Sequence, residues 1–301
     1  MEAKISSLKE KLSNGVSPAM ATPLEEGSYR VKLAVIPQLV EFLLEKGVKG
    51  LFVGGTTGEG IMLDSAERKR LHEATMEAVN GRVPVLVHVG AQRRDTAVDL
   101  ARHAASLQAD AVAAVTPYFY GMDDNALAAY YQTIADAVPN VPLFGYDIPQ
   151  MAINGISPDL ALRLCESIPS MAGLKSSNPN VQVVRRLLDA LPKDRIMLAG
   201  NESAALAMLA LGADGLISGL STAVPEPFVA ITQAFADGEI EEARKQQRLI
   251  NQLLSKIPAG ARLDAIKSVL AERGIAAGTT VPTLAQVSTP VWSAMKAALE
   301  Q

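Results

Sequence analysis

The sequence contains few residues of the kinds that cross-link proteins or bind metals. Among its 301 residues Cys165 is the only cysteine, so no disulfide can form within the chain. Cys165 falls in a helical pattern and is predicted to be a small buried apolar residue. Of the three histidines, His72 and His103 are predicted on helices and His88 on a strand, so they do not form the ligand cluster that a metal site requires.

The chain also lacks a strong charge of one sign and any long apolar run. Its formal net charge is -4 at pH 7, which gives no basic field for nucleic acid or a membrane surface. Every apolar run is shorter than the roughly 20 residues that a membrane-spanning helix needs. The first five residues contain no apolar region of a secretory signal. With the single cysteine, these features predict a cytoplasmic protein that binds neither nucleic acid nor membranes.

What the sequence does contain is a regular alternation of short apolar runs and longer amphipathic segments. The apolar runs are continuous, which is typical of parallel strands that are covered on both faces. The amphipathic segments, with caps such as Ser157-Pro158, predict helices between them. Eight strands are predicted, at residues 16–21, 50–54, 84–90, 111–115, 142–146, 171–177, 196–199 and 216–218.

Eight strand–helix units in this order predict an α/β fold, a (β/α)8 TIM barrel. An open doubly wound sheet is the alternative, but no Gly-x-Gly-x-x-Gly motif follows the first strand. Residues 1–225 are predicted to form the barrel core, preceded by at most a short surface helix within 5–14. Residues 226–301 are predicted to form the last barrel helix and a small C-terminal helical extension. Helices are predicted there near 228–236, 239–254, 259–273 and 290–299.

The sixth predicted strand ends in Lys175, and Asn178-Pro179 is predicted to begin the next helix as a cap and first-turn proline. Catalytic groups of TIM barrels collect at the carboxyl ends of strands. An ammonium group at the end of a buried strand is poorly solvated, which lowers the pKa of the lysine. The neutral amine attacks carbonyls to give Schiff bases. The alternative is a structural lysine whose charged end reaches solvent.

Two further strand ends carry groups that suit a nucleophilic lysine. The second strand ends in Gly54-Gly55-Thr56-Thr57-Gly58-Glu59, whose N–H groups and hydroxyls can hold a small anion such as a carboxylate. The fifth strand ends in Tyr146, which can move protons to and from a reacting oxygen. Each motif alone also fits a structural role, a turn for the glycines and a core hydroxyl for the tyrosine. Glu59 is expected to hydrogen-bond its own loop.

Taken together, these motifs resemble the dihydrodipicolinate synthase/N-acetylneuraminate lyase family of class I aldolases over nearly the whole chain. The glycine–threonine motif is similar to the pyruvate-carboxylate motif of that family. Tyr146-Asp147-Ile148-Pro149 is similar to its Tyr-Asn-x-Pro motif, and Gly173-Leu174-Lys175 to its Schiff-base segment. Gly212-Ala213-Asp214-Gly215, followed by Ile217 and Ser218, is similar to the signature of its eighth strand.

The resemblance implies a mechanism. Lys175 would attack the ketone of pyruvate, or of a 2-oxo acid that breaks down to pyruvate. Gly55, Thr56 and Thr57 would hold the carboxylate. Tyr146 would relay the proton with its hydroxyl oriented by a threonine, for which Thr57 is assigned. The protonated imine serves as the electron sink, so neither a metal nor another cofactor is predicted, and a homo-oligomer is expected because relatives are often tetramers built from tight dimers.

Other residues at the strand ends are predicted to contact the substrate. After the fourth strand and in the eighth these are Tyr118, Tyr120, Ile217 and Ser218. After the seventh strand, Asn201 and Glu202 could bind hydroxyls of a polyol chain, although Asn201 could instead cap the helix that begins at Glu202.

The chain departs from the family at two positions that bear on the substrate. Synthases usually carry an arginine five residues after the strand-five tyrosine, where this chain has Met151, and a thioether cannot replace a bidentate cation. The family often has a second tyrosine, lent across a subunit contact, where this chain has Phe119 followed by Tyr120.

These departures favour an aldolase that reversibly cleaves a 2-oxo-3-deoxy sugar acid to pyruvate and an aldehyde. One alternative is 4-hydroxy-tetrahydrodipicolinate synthase, which joins pyruvate and aspartate semialdehyde. Another is a hydratase or dehydratase, since the same imine supports loss of water. A non-catalytic sensor of 2-oxo acids and a metal-dependent barrel aldolase are the remaining alternatives.

Overall fold

The computed structural model describes residues 1–287 and 291–300 and contains an eight-stranded sheet. Its strands are β1 (Val16–Pro18), β2 (Leu51–Val53), β3 (Val85–His88), β4 (Ala111–Val115), β5 (Leu143–Asp147), β6 (Met171–Ser176), β7 (Ile196–Ala199) and β8 (Gly215–Ser218). Its helices up to β8 are α1 (Glu2–Leu12), α2 (Ile36–Glu45), α3 (Ser65–Val79), α4 (Arg94–Ser106), α5 (Asp124–Ala137), α6 (Pro149–Ala152), α7 (Pro158–Ser167), α8 (Val181–Ala190) and α9 (Ala205–Ala210). After β8 come α10 (Glu226–Ala236), α11 (Ile240–Ser255), α12 (Arg262–Glu272) and α13 (Trp292–Leu299).

The strands form one parallel sheet in the order β1-β8-β7-β6-β5-β4-β3-β2. The two ends of this order meet where Ala19 bridges Phe52 and the Met20 N–H donates to the Phe52 carbonyl at 2.9 Å. The sheet therefore closes into the predicted (β/α)8 barrel, and the eight predicted strands are confirmed.

The helix after β6 begins later than the sequence predicts. A start at Asn178-Pro179 is wrong, because α8 begins at Val181 with Asn180 as its cap. The Asn180 side chain accepts from the Gln182 N–H at 3.0 Å. The Asn178 side chain instead accepts from the Asn180 N–H at 3.0 Å, so it forms a turn that precedes the helix.

Helix α1 lies at the surface, as predicted, but it also packs one apolar stripe into the core, which the sequence analysis does not predict. Ile5, Leu8 and Leu12 are 1%, 4% and 1% exposed. They pack with side chains of the barrel interior in one apolar cluster and so close its amino end. The helix is polar on average, but an i, i+3, i+7 spacing is enough to bury one stripe of side chains.

The strand side chains pack in two layers. Inward-facing residues such as Phe52 and Phe144 fill the barrel, whereas outward-facing residues such as Leu143 pack against the helices. Cys165 of α7 is buried in the outer layer, as predicted. Because the barrel is filled from α1 up to the ring of Tyr146, open space remains at the carboxyl ends of the strands.

The chain after β8 is helical, as predicted. Three predicted helices correspond to α10, α11 and α12, and the fourth is present as α13. Its predicted first residue, Pro290, lies outside the described residues, and the division of the chain at residue 225 stays a prediction. Across the residues that the structure describes, no helix is both long and apolar enough to cross a bilayer.

We expect Ile5→Ala to lower the free energy of unfolding by about 2–5 kcal/mol, because it leaves a cavity in the floor of the barrel. Urea unfolding followed by circular dichroism measures this change. Leu162→Ala is the matched control, since Leu162 is 39% exposed and its truncation should have an effect within about 0.5 kcal/mol. A loss at Ile5 no larger than at Leu162 would contradict the packing of α1.

Candidate active site

Lys175 points into the barrel because strand β6 is irregular. In its pairing with β5 the register skips Ala172, which forms a β-bulge. Met171 and Leu174 both pack in the outer layer although they are three residues apart, so the alternation of side chains changes phase between them. Gly173 supports the bulge with a φ of 148°, and a side chain there would overlap a carbonyl of β7. The bulge thus places Lys175 beside the inward-facing aromatic rings.

The Lys175 side chain is almost fully removed from water. It is 3% exposed, and its Nζ lies 3.6 Å from the centre of the Tyr146 ring and 4.3 Å from that of Phe52. Burial lowers the pKa of Lys175, and the adjacent Tyr146 opposes this shift only in part. The nucleophilic neutral amine is therefore more populated at neutral pH than in a solvated lysine. The alternative of a lysine that reaches solvent does not fit this geometry.

The hydroxyl of Tyr146 is paired with Thr56, and the two oxygens are 3.0 Å apart. The assignment of Thr57 as the threonine that orients the tyrosine is therefore wrong. The Thr57 hydroxyl lies instead against Gly219, where an added Cβ would be 2.6 Å from Oγ1. The sequence does not indicate whether Thr56 or Thr57 contacts Tyr146, because the dihedral angles of one tight turn determine which hydroxyl faces β5.

The turn that carries both threonines is closed by main-chain bonds. The Glu59 N–H donates to the Thr56 carbonyl at 3.1 Å, and the Gly60 N–H donates to the Gly55 carbonyl at 3.1 Å. Gly55 packs on the ring of Phe52 with no space for a side chain, so it supports the turn and does not line the cavity. Since Phe52 also contacts the lysine amine, this packing keeps the turn close to the nucleophile.

The Glu59 side chain leaves its own loop, so that part of its prediction is wrong. Its carboxylate is buried, with Oε1 2.6 Å from Nζ of Lys267 on α12. Oε2 accepts from the Val281 N–H at 2.8 Å. The threonine turn is thereby connected to the C-terminal helical extension.

A cavity of about 400 Å³ opens at the carboxyl ends of the strands. The predicted site residues that line it are Lys175, Tyr146, Thr56, Thr57, Asn201, Glu202 and Ile217. A larger concavity, of about 910 Å³, lies beside α1 at the opposite end and contains none of the predicted site residues. The strand-end motifs therefore converge on the smaller cavity.

Glu202 lines the cavity, but its carboxylate is already bonded to protein groups. Oε1 accepts from the Ser218 hydroxyl and from the Leu220 N–H, each at 2.8 Å. Oε2 forms an ion pair with Arg262 at the start of α12. Ser218 is buried behind Glu202 and is not part of the lining.

The structure adds four polar residues to the lining, Gln150, Ser177, Ser203 and Arg262. Ser177 lies two residues after Lys175, so its position on the same face of the chain was a usable signal. Ser203 donates its hydroxyl to the Asn201 side chain at 2.8 Å, and Asn201 makes no side-chain cap to the helical turn that begins next to it. No local pattern pointed to Arg262, which comes from the C-terminal extension.

Comparison with known proteins assigns the chain to a family. A family model described as the dihydrodipicolinate synthetase family matches residues 12–301. The chain belongs to this family. The resemblance inferred from the strand-end motifs is confirmed, and with it the prediction of a carbon–carbon lyase of the class I aldolase type.

Relatives in this family carry two activities. A 4-hydroxy-tetrahydrodipicolinate synthase of Methanopyrus kandleri is 33% identical over 231 residues, which are 77% of this chain and 77% of that protein. An N-acetylneuraminate lyase of Mediterraneibacter gnavus is 31% identical over 234 residues, 77% of this chain and 74% of that protein. The structure of a catalytic-lysine mutant of Ruminococcus gnavus sialic acid aldolase has a TM-score of 0.91 and 28% identity, and covers 97% of this chain and 95% of that chain.

The dihydrodipicolinate synthetase family motif at the end of β5 carries Asp147 in this chain. Oδ1 accepts from the Ile156 N–H at 3.1 Å, and Oδ2 accepts from the Ser176 hydroxyl at 2.8 Å. Burial raises the pKa of Asp147, and these hydrogen bonds oppose the shift. The carboxyl group connects β5 to β6 at the level of the nucleophile.

The two predicted tyrosines after β4 lie outside the cavity. Tyr120 and Phe119 are 67% and 73% exposed. Tyr118 is half-buried and donates its backbone N–H to Oε1 of Gln92 at 2.8 Å. A role of Tyr118 and Tyr120 in substrate binding therefore stays a prediction.

Behind Tyr146, His88 is held in its neutral form. Its Nδ1 donates to the Gly54 carbonyl at 2.9 Å, so Nε2 accepts from the Val115 N–H at 3.3 Å. Burial and the adjacent Arg68 lower the pKa of His88 well below its usual value. Within residues 1–287 and 291–300 no group of three or more His, Cys, Asp or Glu side chains is placed to hold a metal ion. That the reaction uses no metal or cofactor stays a prediction.

We expect Asp147→Asn to change how stability depends on pH. Because burial raises the pKa of Asp147 above its unfolded value, ionisation costs stability at neutral pH, and this cost disappears as the pH falls below about 4. The free energy of unfolding of Asp147→Asn minus that of the wild type should be most positive near neutral pH and decrease toward acid pH in urea unfolding. Asp237→Asn, at an exposed position, should show no such trend. A difference for Asp147→Asn that does not vary with pH would contradict this account.

Proposed function

We propose that this member of the dihydrodipicolinate synthetase family reversibly cleaves 2-oxo-3-deoxy sugar acids to pyruvate and a polyhydroxy aldehyde through an imine on Lys175. The observation that carries the proposal is the desolvated amine beside Tyr146, whose hydroxyl is paired with Thr56. The catalytic lysine of the sialic acid aldolase relative supports the same chemistry.

In the first stage the neutral amine adds to the ketone carbon of the bound 2-oxo acid. The carbinolamine oxygen takes up a proton and leaves as water, which gives the protonated imine. Tyr146 is assigned these proton transfers, and its position in the cavity lining and the contact of its hydroxyl with Thr56 support this role.

In the cleavage stage the hydroxyl at C4 loses its proton as the C3–C4 bond breaks. The electron pair of that bond moves into the protonated imine and forms an enamine, and the aldehyde leaves. Protonation of C3 and hydrolysis of the imine then release pyruvate and restore Lys175. The imine itself accepts the electron pair, so this route needs no metal or other cofactor.

The carboxylate of the 2-oxo acid is assigned to the turn of Thr56 and Thr57. Both residues line the cavity, and N–H groups and hydroxyls in such a turn bind small anions. The Thr56 hydroxyl also contacts the Tyr146 hydroxyl. The same threonine is therefore assigned to bind the carboxylate and to orient the proton-transfer group.

The aldehyde part is assigned to the wall formed by the segments that follow β5, β6 and β7. Its polar lining includes Gln150, Ser177 and Asn201, which are uncharged donors and acceptors. The charges of Glu202 and Arg262 in this wall are paired with each other. Such a surface suits hydroxyl groups better than a second carboxylate.

4-Hydroxy-tetrahydrodipicolinate synthase is the second candidate because several relatives carry that activity. Its substrate aspartate semialdehyde brings an additional carboxylate, which a bidentate arginine binds well. Met151 lines the cavity where synthases usually have this arginine. The charge of Arg262 is already paired with Glu202, so the observations favour the sugar acid.

A second copy of the chain is the proposed partner of the loop after β4. Phe119, Tyr120, Met151 and Ile153 are 73%, 67%, 63% and 62% exposed. The Asn154 side chain joins their two loops by donating to the Tyr120 carbonyl at 2.8 Å. Clustered exposed apolar side chains of this kind are typical of protein interfaces.

Reductive trapping tests the imine directly. Incubation with pyruvate and borohydride should add one reduced pyruvyl group, and peptide mass spectrometry should locate it on Lys175. Lys175→Met should take up none, whereas Lys9→Met, at the opposite end of the barrel, should be labelled like the wild type. An unlabelled protein, or a label on another lysine, would exclude this mechanism.

An aldehyde panel separates the two candidate activities. Pyruvate consumption, read with coupled lactate dehydrogenase, should show a kcat/KM for uncharged polyhydroxy aldehydes at least about tenfold above that for aspartate semialdehyde. The reverse preference would favour the synthase. Trapping of pyruvate with no turnover of any aldehyde would favour a sensor.

The two threonines should differ in their kinetic effects. Thr56→Val removes the partner of Tyr146, so kcat should fall by about 100-fold, as when a proton-transfer group is misplaced. Thr57→Val should mainly raise the KM for pyruvate, because it removes a carboxylate contact made in both the ground and transition states. A larger loss of kcat for Thr57→Val would contradict the role of the Thr56–Tyr146 pair.

A further inference from the structure

Helix α12 is joined by ion pairs to both walls of the cavity. Arg262, at its first position, pairs with Glu202 in the turn after β7. Lys267, further along the same helix, pairs with Glu59 in the turn after β2. The C-terminal extension thus contacts the proposed aldehyde wall and the proposed carboxylate turn.

The Lys267–Glu59 pair is sealed from water. The two side chains are 1% and 0% exposed, and Nζ lies 2.6 Å from Oε1. Lys267 also donates to the Thr279 carbonyl at 2.8 Å, and Oε2 of Glu59 accepts from the Val281 N–H at 2.8 Å. Each charged group is therefore held by more than one partner, so the pair has a defined geometry.

Stability alone explains such a pair poorly. The cost of removing two charges from water largely cancels their attraction, and apolar side chains of similar volume are often as stable. What the charged pair adds is direction, because the Thr279 carbonyl holds Lys267 and the Val281 N–H holds Glu59, so the two charges meet only when Glu59 occupies one position.

The backbone of Glu59 connects the fixed position of its side chain to the turn of Thr56 and Thr57. Its φ of 56° is left-handed, a conformation that few residues other than glycine adopt. Its N–H closes the turn on the Thr56 carbonyl at 3.1 Å. The Thr56 hydroxyl in turn lies 3.0 Å from the Tyr146 oxygen.

We infer that Lys267 is a positioning residue, which through Glu59 fixes the turn that binds the pyruvate carboxylate and orients Tyr146. The inference rests on the proposed function, because it takes this turn to be the pyruvate site. It assigns part of the active-site geometry to a side chain of the extension that does not line the cavity.

The test is the pyruvate dependence of borohydride trapping in Lys267→Met. The pyruvate concentration for half-maximal trapping should rise about tenfold, since misplacing a positioned group by about 1 Å can cost up to about 100-fold. A purely structural role would reduce the amount of folded protein and so lower the maximal trapping without changing the half-saturating concentration.

Two further variants complete the test. Lys9→Met is the matched control, because Lys9 also pairs with a carboxylate, Asp214 at 3.2 Å, but at the amino end of the barrel, and its half-saturation should equal that of the wild type. The double variant Glu59→Gln, Lys267→Met contains no unpaired buried charge, so its melting temperature should exceed that of Lys267→Met. Its half-saturating pyruvate concentration should stay raised, and it decides the question alone if the single variant does not fold.

The possible outcomes separate this inference from the proposed function. The positioning role is overturned if the half-saturating pyruvate concentration equals that of the wild type in both Lys267 variants, or returns to that value in the double variant. Neither result affects the imine on Lys175. Raised half-saturation in both variants, with normal trapping in Lys9→Met, supports the positioning role. A wild-type protein that is not trapped at Lys175 overturns both proposals.

Discussion

The chemistry of this protein depends on keeping one amine out of water. A solvated lysine has a pKa of about 10.4 and is almost entirely charged at neutral pH. Here α1 and the inward-facing side chains fill the barrel below Lys175, and the rings of Phe52 and Tyr146 cover the amine itself. A layer that admitted water would restore the charge and remove the nucleophile. Packing of the interior is therefore a condition for reactivity as well as for stability.

The same closed barrel explains why much of the site could be predicted from the sequence. Parallel strands buried on both faces leave continuous apolar runs, and the barrel brings their carboxyl ends to one rim. Lys175, Tyr146 and the threonine turn could therefore be assigned to one site from their places in the chain, without knowledge of any contact. The cavity lined by all of them agrees with that assignment.

What the sequence did not predict depends on dihedral angles and on contacts between distant segments. Whether Thr56 or Thr57 faces Tyr146 is decided by the geometry of one turn. Glu59 finds its partner Lys267 on a helix far along the chain, so no local pattern reports the pair. The burial of one stripe of α1 is not predicted because its apolar residues are sparse and its average composition is polar. These features hold the site in place, whereas the motifs supply its reacting groups.

The direction in which the Lys175 side chain points depends on the number of residues in β6 more than on their identity. Side chains alternate along a strand, and the extra residue at Ala172 reverses that alternation once before Lys175. Deleting one residue between Met171 and Lys175 would turn the amine toward the surrounding helices even if every other residue were kept. The geometry of this segment thus constrains its length more strictly than its composition, except at Gly173, where the backbone tolerates no side chain.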